Sequence, residues 1–136
     1  MTTEPLGVTA DEVITLNERI VASTGERHVL RDRGALEGAL ARPQTFFHYE
    51  DVTEVHFLAG YLILSVGKAH AFEQGNKRTA WLAGVLFILN NGYKLTMNDL
   101  AQKIIADIVE RMMSDEDQVK QLIFWLDKYT DPAETA

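Results

Sequence analysis

Apolar residues recur at helical spacing along the N-terminal part of the chain. Thr9 and Glu12 have the spacing of a capping box, and the apolar positions after them are Val13, Ile14, Leu16, Ile20 and Val21. This pattern predicts a first helix that ends at Gly25. A shorter helix is predicted from about Asp32 to Pro43, because a proline interrupts helical hydrogen bonding. Residues 43–52 carry aromatics too closely spaced for one helix face, so a loop is predicted there.

The rest of the chain predicts further helices. One extends from about Thr53 to residues 67–70, and the next, from Asn76 to about Asn90, is apolar nearly all round, which is typical of a central core helix. Two more are predicted to begin near Thr96 and Ser114. The longest strand-like alternation is residues 92–96, and the tail, residues 131–136, is expected to fray. The predicted fold is all-α: a compact bundle of about six helices around the helix of residues 76–90.

Composition narrows the class of protein. A chain of 136 residues fits one domain, residues 1–136. The net charge of -7 argues against direct nucleic-acid binding, which needs a broad basic surface. The absence of cysteine excludes disulfides and thiolate chemistry. The N-terminus lacks the pattern of a secretory signal, and the longest apolar run, Ala80–Leu89, is short of the ~20 residues of a membrane span. We therefore expect a cytoplasmic domain with no membrane contact.

The segment His70–Thr79, HAFEQGNKRT, carries the candidate chemistry, and we call it the motif segment. Its Gly75 permits close approach of the backbone at a helix N-terminus, where unpaired N–H groups favour an anion. Lys77 and Arg78 stand in the first helical turn, where cations oppose the helix dipole unless something negative binds. Histidine titrates near neutrality, so His70 is a candidate general base. Singly, His70 fits a helix cap, the two cations fit a solvated surface, and Phe72 fits the core.

As a whole, the pattern HxFxxGNKRT at residues 70–79 resembles the signature of the Fic/Doc family, and Lys77 is typical of its Doc branch. Residues 30–44 also resemble the Doc type, and the resemblance covers about residues 9–128. It implies that His70 is a general base, and that Gly75, Asn76 and Arg78 bind nucleotide phosphates while Lys77 adds a fixed charge. The reaction implied is transfer of the γ-phosphate of ATP to a Ser or Thr hydroxyl of a protein.

The motif segment departs from the family pattern at the metal ligand. The family usually has Asp or Glu four residues after the histidine as a Mg²⁺ ligand, whereas this chain has Gln74 there and Glu73 one position earlier. An amide oxygen is a poorer ligand than a carboxylate for a hard cation. The alternatives are that Mg²⁺ binds mainly through the nucleotide phosphates, that Gln74 or Glu73 serves as its protein ligand, or that catalysis is weak.

The resemblance also implies partners. Many Fic proteins contain an inhibitory helix with a Glu-Gly or Glu-Asn pair, but the pair Glu37-Gly38 lacks the preceding hydroxyl residue. Inhibition is therefore expected from a separate, Phd-like antitoxin, for which Phe46, Phe47 and Tyr49 are candidate contacts, although a core role fits them equally. The implied target is elongation factor Tu, whose modification would halt translation. Two alternatives are a catalytically weak binding module for an antitoxin, favoured by Gln74, and AMP transfer, disfavoured by Lys77.

The remaining histidines and tryptophans receive simpler interpretations. His28, His48 and His56 lack the spacing of a helical metal site, so they are expected in surface or loop positions. Trp81 and Trp125 lie on apolar faces and are expected in the core.

Overall fold

The computed structural model describes residues 3–134. It contains seven α-helices, a short 3-10 turn at Glu116–Gln118, and two short strands: α1 Ala10–Ser23, α2 Arg33–Leu40, α3 Arg42–Glu50, α4 Val55–Ala69, α5 Asn76–Asn90, β1 Tyr93–Leu95, α6 Asp99–Met112, α7 Val119–Tyr129 and β2 Thr130–Pro132. The all-α class is therefore confirmed, and the helix absent from the sequence prediction is α3.

Side-chain caps fix where several helices begin. The capping box of α1 is present: the Glu12 N–H donates to Thr9 Oγ1 (3.2 Å) and the Thr9 N–H to Glu12 Oε1 (2.9 Å). The predicted start of α2 near Asp32 is confirmed, because Asp32 Oδ1 caps the helix by accepting from the Ala35 N–H (2.9 Å). The predicted start at Thr96 is wrong, because Asn98 Oδ1 accepts from Ala101 N–H (2.8 Å) and so caps α6 two residues later.

The predicted start at Ser114 is also wrong. Asp115 accepts from the Asp117 N–H (3.2 Å) and begins the 3-10 turn, from which α7 continues at Val119. An Asp side chain at this position satisfies an N–H group that the first turn leaves without a partner.

The loop predicted for residues 43–52 is wrong over most of its length, because α3 occupies Arg42–Glu50. Pro43 stands in the first turn of α3, where its missing N–H costs nothing, so it begins a helix here. Phe46 packs against Phe57 and Tyr61 of α4, with ring centroids 5.4 and 4.7 Å apart. Packing against α4 thus stabilises α3, although the spacing of its aromatic residues does not indicate a helix. Tyr49, by contrast, is exposed.

The centre of the bundle is the antiparallel pair α4 and α5. A Cβ added at Gly84 of α5 would lie 2.4 Å from Ile63 Cγ1 of α4, so the glycine permits the close approach of the two helices. α5 is not enclosed on all sides as predicted, because Leu82 and Leu89 of α5 are 37% and 53% exposed. One face of the predicted central helix therefore remains at the surface.

The start of the tail is ordered into a small sheet. β1 and β2 pair antiparallel with Tyr93 opposite Pro132 and Leu95 opposite Thr130, and the Ala133 N–H donates to the Gly92 carbonyl (2.9 Å). The prediction that the tail frays is therefore wrong for residues 131–133, where a partner strand distant in sequence satisfies the backbone. Residues 135–136 of the same prediction lie outside the described residues. Within residues 3–134, no helix is both long and apolar enough to cross a membrane.

Candidate active site

Two left-handed residues shape the junction between α4 and α5. α4 ends at Ala69, and His70 follows with φ +47° and ψ +43°. Gly75 has φ +75° immediately before α5 begins. A Cβ at Gly75 would lie 3.1 Å from Val21 Cγ1 and 3.3 Å from Asn17 Nδ2 of α1. Gly75 is therefore required both for its backbone conformation and for its contact with α1.

Replacing Gly75 with alanine is expected to lower the free energy of unfolding by about 1–2 kcal/mol, because a left-handed conformation is costly for a residue with a Cβ. Chemical denaturation of the two proteins measures this difference. Gly38→Ala is the matched control, since Gly38 lies within α2 and a Cβ there meets nothing within 4 Å. Equal stability of wild type and Gly75→Ala would contradict the assigned conformation.

Backbone pairing holds the motif segment against the loop before α2. The Arg31 N–H donates to the Ala71 carbonyl (2.7 Å), and the Glu73 N–H donates to the Val29 carbonyl (3.0 Å). Phe72 lies between them and is 2% exposed, so the interpretation of Phe72 as a core residue is confirmed. The motif segment is therefore held by backbone hydrogen bonds at Ala71 and Glu73 and by the buried side chain of Phe72 between them.

The Asn76 side chain makes hydrogen bonds within the motif segment. Its Oδ1 accepts from the Phe72 N–H (3.1 Å) and its Nδ2 donates to the Phe72 carbonyl (2.8 Å). The side chain thus closes the turn of the motif segment. Its backbone N–H belongs to the first turn of α5, which has no side-chain cap. The first turn of α5 therefore presents N–H groups and the positive end of the helix dipole without a capping oxygen.

Both cations of the motif segment are paired with glutamates of neighbouring elements. Lys77 Nζ lies 2.7 Å from both carboxylate oxygens of Glu110 on α6. Arg78 donates to Glu26 Oε1 (2.5 Å) and to Thr24 Oγ1 (3.3 Å) in the loop after α1. Hydrogen bonds from Arg78 and then Thr24 hold the pKa of the Glu26 carboxyl below its usual value. Both ion pairs are partly exposed, and an exposed ion pair contributes little free energy. A phosphate can therefore replace the glutamate as the partner of each cation.

Glu26→Gln is expected to tighten phosphate binding at Arg78, because the substitution removes the carboxylate that competes for the guanidinium. We expect the Kd for ATP to fall by about two- to threefold, the modest size typical of exposed ion pairs. Isothermal titration calorimetry with ATP measures the change. Because its pKa is lowered, Glu26 stays charged until the pH falls well into the acid range, so the difference between the proteins persists at neutral pH and narrows only in acid.

Glu73 and Gln74, the two candidate metal ligands, differ in their surroundings. Glu73 Oε1 accepts from Arg31 (3.1 Å), whereas Oε2 is buried and has no hydrogen-bond partner among the described residues. The Gln74 carbonyl accepts from Asn17 Nδ2 (2.9 Å). An unpaired buried carboxylate oxygen is costly unless a proton or a cation binds it. Glu73 therefore fits Mg²⁺ better than Gln74 does. The described residues contain no cluster of three or more His, Asp or Glu side chains that would hold a metal without a ligand's help.

A cleft of about 1110 Å³ joins these groups. Every candidate residue of the motif segment lines it: His70, Glu73, Gln74, Gly75, Asn76, Lys77 and Arg78. Its far wall lies between α5 and α6 and is largely apolar, with Trp81, Leu82, Met97, Ala106 and Val109. Trp81, expected in the core, is half-buried and forms part of this wall. The cleft thus combines a cationic helix N-terminus, a histidine and an apolar compartment.

Asn17 and Thr79 are the site-supporting residues that sequence reasoning missed. Both are fully buried, and Asn17 Nδ2 donates to Thr79 Oγ1 (3.0 Å). Asn17 Oδ1 also lies 2.7 Å from Nδ1 of His28, which is in a loop as predicted. A signal was present, because Asn17 stands four residues from Val13 and from Val21 on the buried face of α1. A polar residue at such a position usually has a specific partner.

Comparison with known proteins identifies the class of protein. The family model described as the Fic/DOC family matches residues 7–88, and the chain belongs to this family. It is 34% identical over 105 residues to Toxin Doc of Mycolicibacterium smegmatis (strain ATCC 700084 / mc(2)155), covering 74% of this chain and 78% of that protein. It is 26% identical over 88 residues to Protein kinase doc of Escherichia phage P1, covering 65% of this chain and 70% of that protein. The resemblance inferred from the motif segment is confirmed.

Proposed function

We propose that this protein is a Doc-type toxin that transfers the γ-phosphate of ATP to a Ser or Thr hydroxyl of a protein. The observation that carries the proposal is the convergence of His70, Lys77 and Arg78 on the uncapped N-terminus of α5 within one cleft. The names of the two relatives, a toxin and a protein kinase, support the same function. Phosphoryl transfer depends mainly on positioning and on charge stabilisation, and these groups supply both.

In this proposal the phosphates lie against the first turn of α5. Arg78 turns from Glu26 to the transferred phosphate, and its planar fork suits two phosphate oxygens. Lys77 leaves its ion pair with Glu110 and binds a second phosphate of ATP. Backbone N–H groups from Gly75 onward complete the anion site, so Asn76 contributes through its backbone while its side chain holds Phe72. His70 accepts the proton of the target hydroxyl as the oxygen attacks the phosphorus.

Glu73 is the proposed protein ligand of a Mg²⁺ ion that accompanies ATP. Mg²⁺ commonly binds one or two carboxylates together with substrate phosphates, and when bound here it would neutralise phosphate charge. To reach the ion, the Glu73 side chain leaves Arg31 and turns into the cleft that it lines, because Oε2 is buried in the orientation that Arg31 holds. The backbone carbonyl of Gln74 is hydrogen-bonded to Asn17, and in this proposal the Gln74 side chain contributes less to Mg²⁺ binding than Glu73 does.

Glu73→Gln is expected to weaken Mn²⁺ binding to the protein–ATP complex by about tenfold, because an amide replaces the carboxylate. Electron paramagnetic resonance of Mn²⁺ measures binding without requiring turnover. Gln74→Ala should change the same Kd less than twofold. If Gln74→Ala weakens binding and Glu73→Gln does not, the assignment is reversed. Gln74→Asp, which restores the usual carboxylate, is expected to tighten binding.

Two partners follow from the proposed function. The target is proposed to be elongation factor Tu, so that modification halts translation, and a Phd-like antitoxin is proposed to restrain the protein. In this proposal the protein segment that carries the acceptor hydroxyl binds in the cleft of about 1110 Å³, whose lining is partly apolar. Growth arrest after induced expression, abolished by His70→Ala, tests the toxin activity.

The target is tested by mass spectrometry of purified elongation factor Tu after incubation with the protein, ATP and Mg²⁺. The expected product gains one phosphoryl group on a Ser or Thr, located by peptide fragmentation. His70→Ala should leave the factor unmodified. If growth arrest occurs and elongation factor Tu stays unmodified, the target is a different protein.

A binding module with little catalysis is the second candidate. Two observations favour it: Gln74 replaces the usual acidic ligand, and both motif cations are already paired with glutamates. Such a module would bind ATP and an antitoxin and transfer no phosphate. AMP transfer is a variant of the enzyme proposal, and Lys77 argues against it because a lysine at this position resembles the Doc branch.

A further inference from the structure

Asn17 is a buried polar residue that contacts the motif segment from outside it. It lies on α1, is fully buried, and is separated from the motif segment by more than fifty residues in sequence. Asn17 and Thr79 are the buried polar side chains within residues 3–134, and they are hydrogen-bonded to each other. Burying an amide in a core is unfavourable unless all its hydrogen bonds are made.

The hydrogen bonds of Asn17 use its full donor capacity. Both protons of Nδ2 are committed, one to the Gln74 carbonyl (2.9 Å) and one to Thr79 Oγ1 (3.0 Å). A carbonyl only accepts, so this contact fixes which way the Asn17 amide faces. Oδ1 then accepts from His28 Nδ1 (2.7 Å), which assigns the proton to that ring nitrogen. The orientation of Asn17 is therefore determined from three sides.

Asn17 hydrogen-bonds to the peptide between Gln74 and Gly75, and this contact constrains the orientation of the peptide. In a trans peptide the carbonyl and the N–H point in opposite directions. Because the Gln74 carbonyl points at Asn17 on α1, the Gly75 N–H points away from α1. Gly75 also lies close to Asn17, with a Cβ position 3.3 Å from Nδ2. The direction of the first N–H of the proposed anion site thus depends on a side chain of α1.

Thr79 extends the same control into α5. Its side chain is fully buried, and its N–H donates to the Gly75 carbonyl (2.9 Å) as the first helical hydrogen bond. Asn17 therefore contacts the peptide before Gly75 and the residue whose N–H closes the first turn after it. A buried, fully satisfied network of this kind specifies one geometry more strongly than apolar packing does.

We propose that Asn17 is a positioning residue, which acts through Gln74, Gly75 and Thr79 to hold the N-terminus of α5 in its anion-binding geometry. The proposal rests on the proposed function for its effect on turnover, and on the geometry alone for its effect on Gly75. Asn17 is not among the residues that line the cleft, so its proposed action is indirect.

The test compares Asn17→Leu with Val13→Ala. Leucine has the heavy-atom count and branching of asparagine and removes its three hydrogen bonds. Val13 is equally buried on the same face of α1, one turn earlier, and its substitution weakens α1 without removing a hydrogen bond to the motif segment. Two quantities are measured at a temperature at which both variants remain folded: kcat for γ-phosphate transfer from ATP, and the ¹H–¹⁵N resonance of Gly75 without nucleotide.

The expected result is a fall in kcat of about 10–100-fold in Asn17→Leu, with a displaced Gly75 resonance. Val13→Ala should keep kcat within about twofold and leave the resonance in place, even with an equal loss of thermal stability. A second pair covers the case in which Asn17→Leu fails to fold: Thr79→Val removes the acceptor of Asn17 and should displace the resonance, while Thr79→Ser keeps it and should not.

Equal effects of Asn17→Leu and Val13→Ala would overturn the proposal, because they would indicate general destabilisation. An unchanged Gly75 resonance in Asn17→Leu, or in Thr79→Val where that variant is used, would also overturn it. If wild type transfers no phosphate, the kinase proposal fails, and the Gly75 resonance alone still decides whether Asn17 positions the segment.

Discussion

His70→Ala is expected to lower the rate of phosphate transfer by about 10²–10⁴-fold, the usual contribution of a general base. His70 follows the last residue of α4 in a left-handed conformation and lines the cleft that Arg78 and Lys77 also line. Alanine removes the proton acceptor and leaves the phosphate-binding groups in place. We therefore expect kcat to fall while the Kd for ATP changes less than about threefold. A radiolabel transfer assay and calorimetry measure the two quantities.

The matched control for His70→Ala is His48→Ala. His48 is an exposed residue of α3 that contacts Glu4 and lies outside the residues that line the cleft. Its substitution should leave kcat and the Kd for ATP at their wild-type values. A His70→Ala protein with kcat within tenfold of wild type would mean that another group, or water, accepts the proton.

Arg78→Ala is expected to lower kcat/KM by about 10²–10³-fold, because the variant loses a cation placed where charge develops in transfer. It also leaves Glu26 without its partner, so a free carboxylate would face the incoming phosphates. Arg78→Lys should recover only part of the loss, since an ammonium cannot reproduce the planar fork of a guanidinium.

A double variant measures how much of the lost activity in Arg78→Ala is due to the unpaired Glu26 carboxylate. Arg78→Ala with Glu26→Gln should be several-fold more active than Arg78→Ala alone, because the repulsive carboxylate is gone. Arg19→Ala, an exposed cation of α1, is the control and should match wild type. If Arg78→Ala keeps its activity, the phosphate does not bind at the N-terminus of α5 in the proposed manner.

Features specified by neighbouring residues could be predicted from the sequence. The capping box of α1, the Asp32 cap of α2 and the extent of α5 all depend on residues within a few positions of one another. The motif segment is equally local, so its residues could be assigned to one site before the structure. In the structure these residues line a single cleft.

Features that depend on distant partners could not be predicted. The packing of Phe46 on α4 stabilises α3, and β2 exists because β1 pairs with it. The partners of the motif cations are likewise remote, with Glu26 fifty-two residues from Arg78 and Glu110 thirty-three from Lys77. Local spacing contains no information on such pairs, so the sequence indicated unpaired cations where the structure has ion pairs.

The most direct test of the proposed reaction uses ATP labelled at either the α- or the γ-phosphate. The protein is incubated with bacterial lysate, Mg²⁺ and one of the two labels, alongside His70→Ala. We expect one or more lysate proteins to acquire the γ-label and not the α-label, and the transfer to disappear in His70→Ala. Transfer of the α-label would identify AMP transfer instead, and the absence of transfer from either label would contradict catalysis and leave the binding module.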